Sequence, residues 1–156
     1  MALSVDIAID NRSGIAVDLT ILDAAKAYIE KTLKAEGVTV PCEVSFSLVT
    51  PDEIKALNTE YRGIERETDV LSFPMIELPE ESNQLTEEGI FPLMLGDIII
   101  STTQAKKQAE EYGNTLEREI CYLTVHSVLH LLGYDHIKED EKRKMRIREK
   151  EIMGDN

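Results

Sequence analysis

The chain has 156 residues, of which 42% are hydrophobic, and a formal net charge of −13 at pH 7. That length suits one domain, 1–156, which buries roughly 70% of its unfolded surface and needs no disulfide. The acidic balance works against nonspecific nucleic-acid binding, where phosphate contacts dominate affinity, and no apolar run approaches the ~20 residues that span a bilayer.

Residues 3–9, SVDIAID, alternate in polarity and predict a strand. This N-terminal stretch has no basic segment and no long apolar core, so it does not read as a secretory signal. Residues 19–36 place Leu19, Leu22, Ala25, Tyr28, Ile29 and Leu33 in a helical rhythm that ends at Gly37. Val44 to Val49 predicts a second strand. Cys42, just before it, and Cys121 lack metal or redox spacing. Both read as reduced, buried residues of a cytoplasmic protein. Thr50-Pro51-Asp52-Glu53 is a helix start, with Thr50 as N-cap, proline at the first helical position and Glu53 completing a capping box. That helix runs through Ile54 and Leu57 toward Tyr61.

Residues 69–75, DVLSFPM, predict a strand, with Pro74 near an edge or bend. The segment 77–90 carries Glu77, Glu80, Glu81, Glu87 and Glu88, lacks periodicity and reads as a mobile surface loop. Residues 93–100, LMLGDIII, predict a buried strand. Ser101 opens a helix, with Gln104 at the capping-box position, that stops at Gly113. Asn114 with Glu117 caps the next helix. From Ile120 to Leu132 that helix is apolar nearly all round, which predicts a buried central helix. It carries His126 and His130 into the interior, where imidazoles need partners and a metal is one way to supply them. A last helix, about 138–153, has i,i+4 pairs such as Glu139 with Arg143 and Asp140 with Lys144. Met145 and Met153 lie on its apolar stripe.

This last helix is also a basic block: Lys142, Arg143, Lys144, Arg146, Arg148 and Lys150. A local basic groove is therefore compatible with an acidic chain. The order β-α-β-α-β-β-α-α-α predicts an α+β fold: a small mixed sheet of about four strands packed with helices around the buried central one. There is no internal repeat.

All three histidines of the chain fall in one segment, His126-Ser-Val-Leu-His130-Leu-Leu-Gly133-Tyr-Asp-His136. His126 and His130 are four apart and share a helix face. Gly133 suits the end of the helix, after which the chain can turn back and bring His136 toward the other two. Three neutral imidazoles converging on one point predict a site for one zinc ion with an open position, usually a catalytic one. The spacing H-x3-H-x2-G-x2-H is zincin-like and matches metzincin proteases, in which the residue after the first histidine is glutamate. Ser127 stands there instead. A serine hydroxyl cannot take a proton from zinc-bound water near neutral pH, so the peptidase base is missing.

The segment HSVLHLLGYDH closely resembles the signature of the YbeY family, bacterial endoribonucleases that mature ribosomal RNA. LNTEYRGIERETDVLSFP at 57–74 and LGDIIIS at 95–101 match that family in the same order. The chain departs from the family pattern at Ser127, where glycine is common, and at Glu67, where proline is common. Neither departure touches a ligand. The resemblance implies a single-strand-specific, zinc-dependent endoribonuclease that processes the 3′ end of 16S rRNA and acts in ribosome quality control. His126, His130 and His136 correspond to the family's zinc ligands. Arg62 corresponds to its functionally important arginine. Asp69 and Ser72 lie in the motif that lines the same cleft and are implied to bind substrate.

In the mechanism expected from these residues, water attacks an RNA phosphodiester. Zinc polarises the phosphoryl group and Arg62 stabilises the charge that develops. The sequence names no general base. Asp135 stands beside a ligand, but it equally suits a helix cap or a group that orients a histidine. Two other functions remain in view. One is a non-catalytic ribosome assembly factor that binds rRNA or basic ribosomal proteins, with zinc purely structural. The other is a zinc peptidase, which Ser127 argues against.

Overall fold

In the computed structural model, which describes residues 4–75, 92–134 and 138–154, the chain runs β1 (Val5–Asn11), α1 (Leu19–Ala35), β2 (Cys42–Val49), α2 (Pro51–Arg62), β3 (Val70–Pro74), β4 (Leu93–Ser101), α3 (Thr102–Tyr112), α4 (Leu116–Leu131) and α5 (Glu139–Met153). The acidic segment 77–90 lies outside the described residues. The four strands form one mixed sheet in the order β1-β2-β4-β3. β1 pairs parallel with β2 and β2 parallel with β4, while β3 pairs antiparallel with β4. The α+β architecture expected from the element order is the one observed. No helix among the described residues is long and apolar enough to cross a membrane.

The two central strands are the most apolar, because strands covered on both faces have no solvent face to keep polar. Val44, Phe46 and Leu48 of β2 and Leu95, Ile98 and Ile100 of β4 are almost fully buried, together with Ile29 and Leu33 of α1 and Ile120, Leu123 and Val128 of α4. β3 is an edge strand, which is where a proline such as Pro74 fits. β2 begins two residues earlier than its periodicity predicted. Cys42 N–H donates to Ser4 and Leu93 N–H to Pro41, so pairing on both sides extends it. β1 likewise runs to Asn11, beyond the alternation that suggested residue 9, because it follows β2 in register as far as Leu48.

Caps set the helix boundaries. Thr50 Oγ1 accepts from Glu53 N–H with Pro51 at the first turn, and Ser101 Oγ accepts from Gln104 N–H. Both N-caps match the sequence reading, but neither capping box closes: the Glu53 carboxylate accepts from Arg12 instead, and Ser101 N–H donates to Asp69 O. The start of α4 does not. Thr115, rather than Asn114, is its N-cap and accepts from Arg118 N–H. Asn114 is taken by the preceding helix, its N–H donating to Ala109 O. On α5, Lys144 pairs with Glu141 at 3.6 Å and not with Asp140, and Glu139 makes no ion pair with Arg143. Exposed pairs of this kind contribute little. Arg148 makes a longer reach, from α5 to Glu36 at 2.5 Å and to the Ala35 carbonyl at the end of α1. A cation there also complements the helix dipole.

α4 packs against α1, α3, α5, β3 and β4, so it is the central helix the sequence predicted. Two close approaches fix its position. Ser127 is fully buried, and its hydroxyl lies 2.6 Å from that of Ser72 on β3. One turn further on, at the C-terminal end of the helix, Leu131 packs over Gly96 of β4. A Cβ on Gly96 would sit 2.2 Å from the Phe73 carbonyl oxygen and 2.9 Å from Leu131 Cδ2, and the residue has φ +145°. The glycine of the LGDIIIS motif thus lets β3 and α4 approach the same point of β4. It follows the bulge at Leu95, where the register with β2 shifts. Gly96→Ala should cost at least about 2 kcal/mol of stability through strain and overpacking. Urea unfolding reads this directly, and a change within about 0.5 kcal/mol would mean the three backbones do not meet so closely.

Candidate metal centre

α4 is buried on every side but one. Glu119, Tyr122, His126 and His130 are three, four and four residues apart, so they form a single stripe along the helix. The two histidines are half-buried on this stripe rather than carried into the interior, because the sheet takes the opposite face through Ser127. Their Nε2 atoms face each other at 3.2 Å, with the rings edge to face. His126 Nδ1 lies 2.5 Å from Glu149 Oε2 on α5. A carboxylate accepts, so Nδ1 carries the proton and the Nε2 lone pair is directed toward His130. Such a carboxylate behind an imidazole is the usual partner of a metal-binding histidine.

Glu149 is itself buried, and Tyr122 Oη donates to its other oxygen at 3.1 Å. Burial and then the charge of Glu149 push the Tyr122 hydroxyl well above its ordinary range. Sequence reasoning did not single out Glu149 or Tyr122. A signal for Glu149 was present: it falls on the stripe of Met145, Ile152 and Met153, where an acid interrupts apolar residues. Met145, Ile152 and Met153 do pack into the core, against Cys121, Val125 and Leu129. Cys42 and Cys121 are buried free thiols, both pushed up to about 11 by burial, and are therefore inert.

α4 closes with a full Schellman turn. Tyr134 N–H donates to Leu129 O and Gly133 N–H to His130 O, with Gly133 at φ 101°. The glycine stop expected from the sequence is thus in place. Tyr134 packs against the α4–α5 core, and its hydroxyl is pushed up to about 12 by burial and then by Glu36. His136 and Asp135 follow directly and lie outside the described residues. Among the described residues no group of three metal-ligating side chains occurs.

Of the remaining predicted residues, Asp69 lies beside this stripe, in a cleft shared with Glu119 and Tyr122. Arg62 is the exposed last residue of α2 and makes no hydrogen bond or ion pair among the described residues. Its neighbour Tyr61 packs edge-on against Phe73 of β3, with centroids 5.3 Å apart. Ser72 faces α4 through its contact with Ser127. Asp69 has both oxygens engaged: Oδ1 accepts from Val70 N–H and Thr68, and Oδ2 accepts from Gln108. A cleft of about 160 Å³ opens beside His126, and Lys142 and Arg146 of α5 line it with Glu149. The basic block of the sequence therefore sends two cations to the cleft beside His126.

A family model described as Endoribonuclease YbeY matches residues 8–156. The Endoribonuclease YbeY of Caldanaerobacter subterraneus subsp. tengcongensis is 49% identical over 153 residues, 95% of each chain. That of Clostridium perfringens is 45% identical over 157 residues, 94% of each chain. The solution structure of TM1509 from Thermotoga maritima superposes with a TM-score of 0.55 at 30% identity, over 95% of this chain and 89% of that one. Identity at this level, sustained across nearly the full length, shows that the chain belongs to the YbeY endoribonuclease family.

Proposed function

We propose that this chain is a single-strand-specific endoribonuclease that cleaves ribosomal RNA during its maturation, with one zinc ion held by His126, His130 and His136. The observation that carries this reading is the pair of Nε2 atoms 3.2 Å apart, one of them set by the buried carboxylate of Glu149. Relatives named as endoribonucleases at 45–49% identity support it. A bound zinc ion supplies a Lewis acid that polarises a phosphoryl oxygen and lowers the pKa of water toward ~7.

The protein's own residues divide the remaining work. Glu149 holds His126 in the tautomer that presents Nε2. Arg62, the exposed cation at the end of α2, donates to the charge that builds on the phosphate oxygens. Asp69, immobilised by three donors, forms a rigid wall of the substrate cleft. Ser72 sets the distance between that wall and α4. Lys142 and Arg146 hold flanking phosphates, which reconciles RNA binding with an acidic chain. The peptidase reading loses ground twice, because residue 127 is not glutamate and its side chain is buried against β3. The assembly-factor reading keeps one point in its favour, a net charge of −13 suited to basic ribosomal proteins. An rRNA substrate implies the cytoplasm.

Cleavage of a structured rRNA precursor separates these readings. His130→Ala should lose both zinc and cleavage. Arg62→Ala should keep zinc but lose about 10²–10³ in kcat. Equal cleavage by all three proteins would put the active site elsewhere, and ribosome association without any cleavage would favour the assembly factor. Glu149→Gln should weaken zinc affinity about 10-fold or more, measured by competition with a chromogenic chelator. Reversing Lys142 and Arg146 together to Glu should weaken RNA binding at every sequence. It should also flatten the slope of log affinity against log salt by about 1.4.

A further inference from the structure

On the far side of Tyr122 from Glu149 the α4 stripe opens into a second, larger cleft of about 580 Å³. It lies between α3, the start of β3 and the first turns of α4, and Glu119, Tyr122, Tyr112, Asp69 and Gln108 are among its walls. Its volume falls in the ~300–1,000 Å³ range of small-molecule sites. Glu119 is only 5% exposed, yet its carboxyl makes no hydrogen bond or ion pair with any described residue. The carboxyl faces the cleft, so a ligand there could reach it. Burial, then the charge of Asp69, raises its pKa. Asp69 cannot relieve it, since its own oxygens are engaged.

Two aromatic rings line the same cleft. Tyr112 is 67% exposed at the rim, and Tyr122 is 37% exposed and fixed through its hydroxyl to Glu149. Exposed tyrosines beside a phosphate-cleaving centre are stacking platforms for unpaired bases. A divalent cation is the other ligand a carboxylate attracts. The described residues supply no third ligand for one, and beyond Glu119 and Asp69 the lining is aromatic (Tyr112, Tyr122), amide (Gln108, Asn114) and the guanidinium of Arg118, which itself disfavours a cation.

We infer that this cleft is the base subsite next to the scissile phosphate, where Glu119 accepts from the exocyclic amino group of adenine, cytosine or guanine and excludes uracil. The inference rests on the reading that RNA is the substrate. A carboxylate rewards an amino donor and repels the two carbonyl oxygens that flank N3–H in uracil. Tyr122 joins the two clefts, so a base held against it lies about one helical turn from His126.

The test is a titration of the intact protein with AMP, CMP, GMP and UMP, following the ring signals of Tyr112 and Tyr122 by NMR at about pH 8, well above the usual carboxyl range. The three amino-bearing nucleotides should bind about tenfold or more tightly than UMP, the worth of one charge-assisted hydrogen bond. Glu119→Gln should collapse that ratio toward one. Tyr112→Ala, at an exposed site that leaves the fold intact, should weaken all four nucleotides and keep the ratio. Equal binding of UMP and CMP, an unchanged ratio in Glu119→Gln, or a response of the tyrosines to magnesium alone would overturn the inference. None of these readouts requires cleavage, so equal cleavage by the intact protein, Arg62→Ala and His130→Ala would count against the nuclease reading without altering this result.

Discussion

The carboxylate of Glu149 is the contact on which the arrangement of this site depends. It is buried between α5 and α4, accepts from His126 on one oxygen and from Tyr122 on the other, and so fixes two neighbouring side chains of the same helix face. An imidazole free to rotate would present either nitrogen. The carboxylate selects one, and the Nε2 atoms of His126 and His130 then face each other. α5 keeps Glu149 in place through its methionine and isoleucine stripe and through the reach of Arg148 to the end of α1. The last helix therefore does more than close the core.

The opposite face of α4 has a different task. Ser127 meets Ser72, and Leu131 meets Gly96, so small residues let the helix sit close to β3 and β4. Close packing of that kind transmits position with little slack. It ties the histidines to the strand that follows the Arg62 segment, and Tyr61 against Phe73 links α2 to the same strand. Three motifs far apart in the chain thus become one rigid frame. The frame also distributes charge. An acidic chain brings Lys142 and Arg146 to the small cleft beside His126, where local potential counts for more than the net value.

Much of this was legible from the residues. Apolar periodicity located the strands and helices, because a strand or helix must bury one face and its sequence records which. Thr50 and Ser101 announced their helices through side chains that satisfy the first backbone amides. Pro74 marked an edge strand because it has no N–H to give to a neighbour. Asn114 misled, since two good capping residues stand side by side there and the choice fell to the hydrogen bond that ends α3. The ion pairs of α5 misled for a related reason: spacing allows several partners, and solvent-exposed side chains choose among them for fractions of a kcal/mol.

The sequence by itself determined the fold class, the family and the histidine spacing, because each is written in residues close together or in recognisable runs. Tertiary structure alone decided what stands behind and beside those histidines. Glu149 lies 23 residues from His126, and Ser72 lies 55 from Ser127. Their meeting depends on how α5 and β3 pack on α4. Glu119 is an ordinary acid in the sequence. Only the burial of one side of α4 makes it a carboxyl without a partner at the wall of a cleft. Local pattern fixes which atoms a helix presents, and packing fixes what they are presented to.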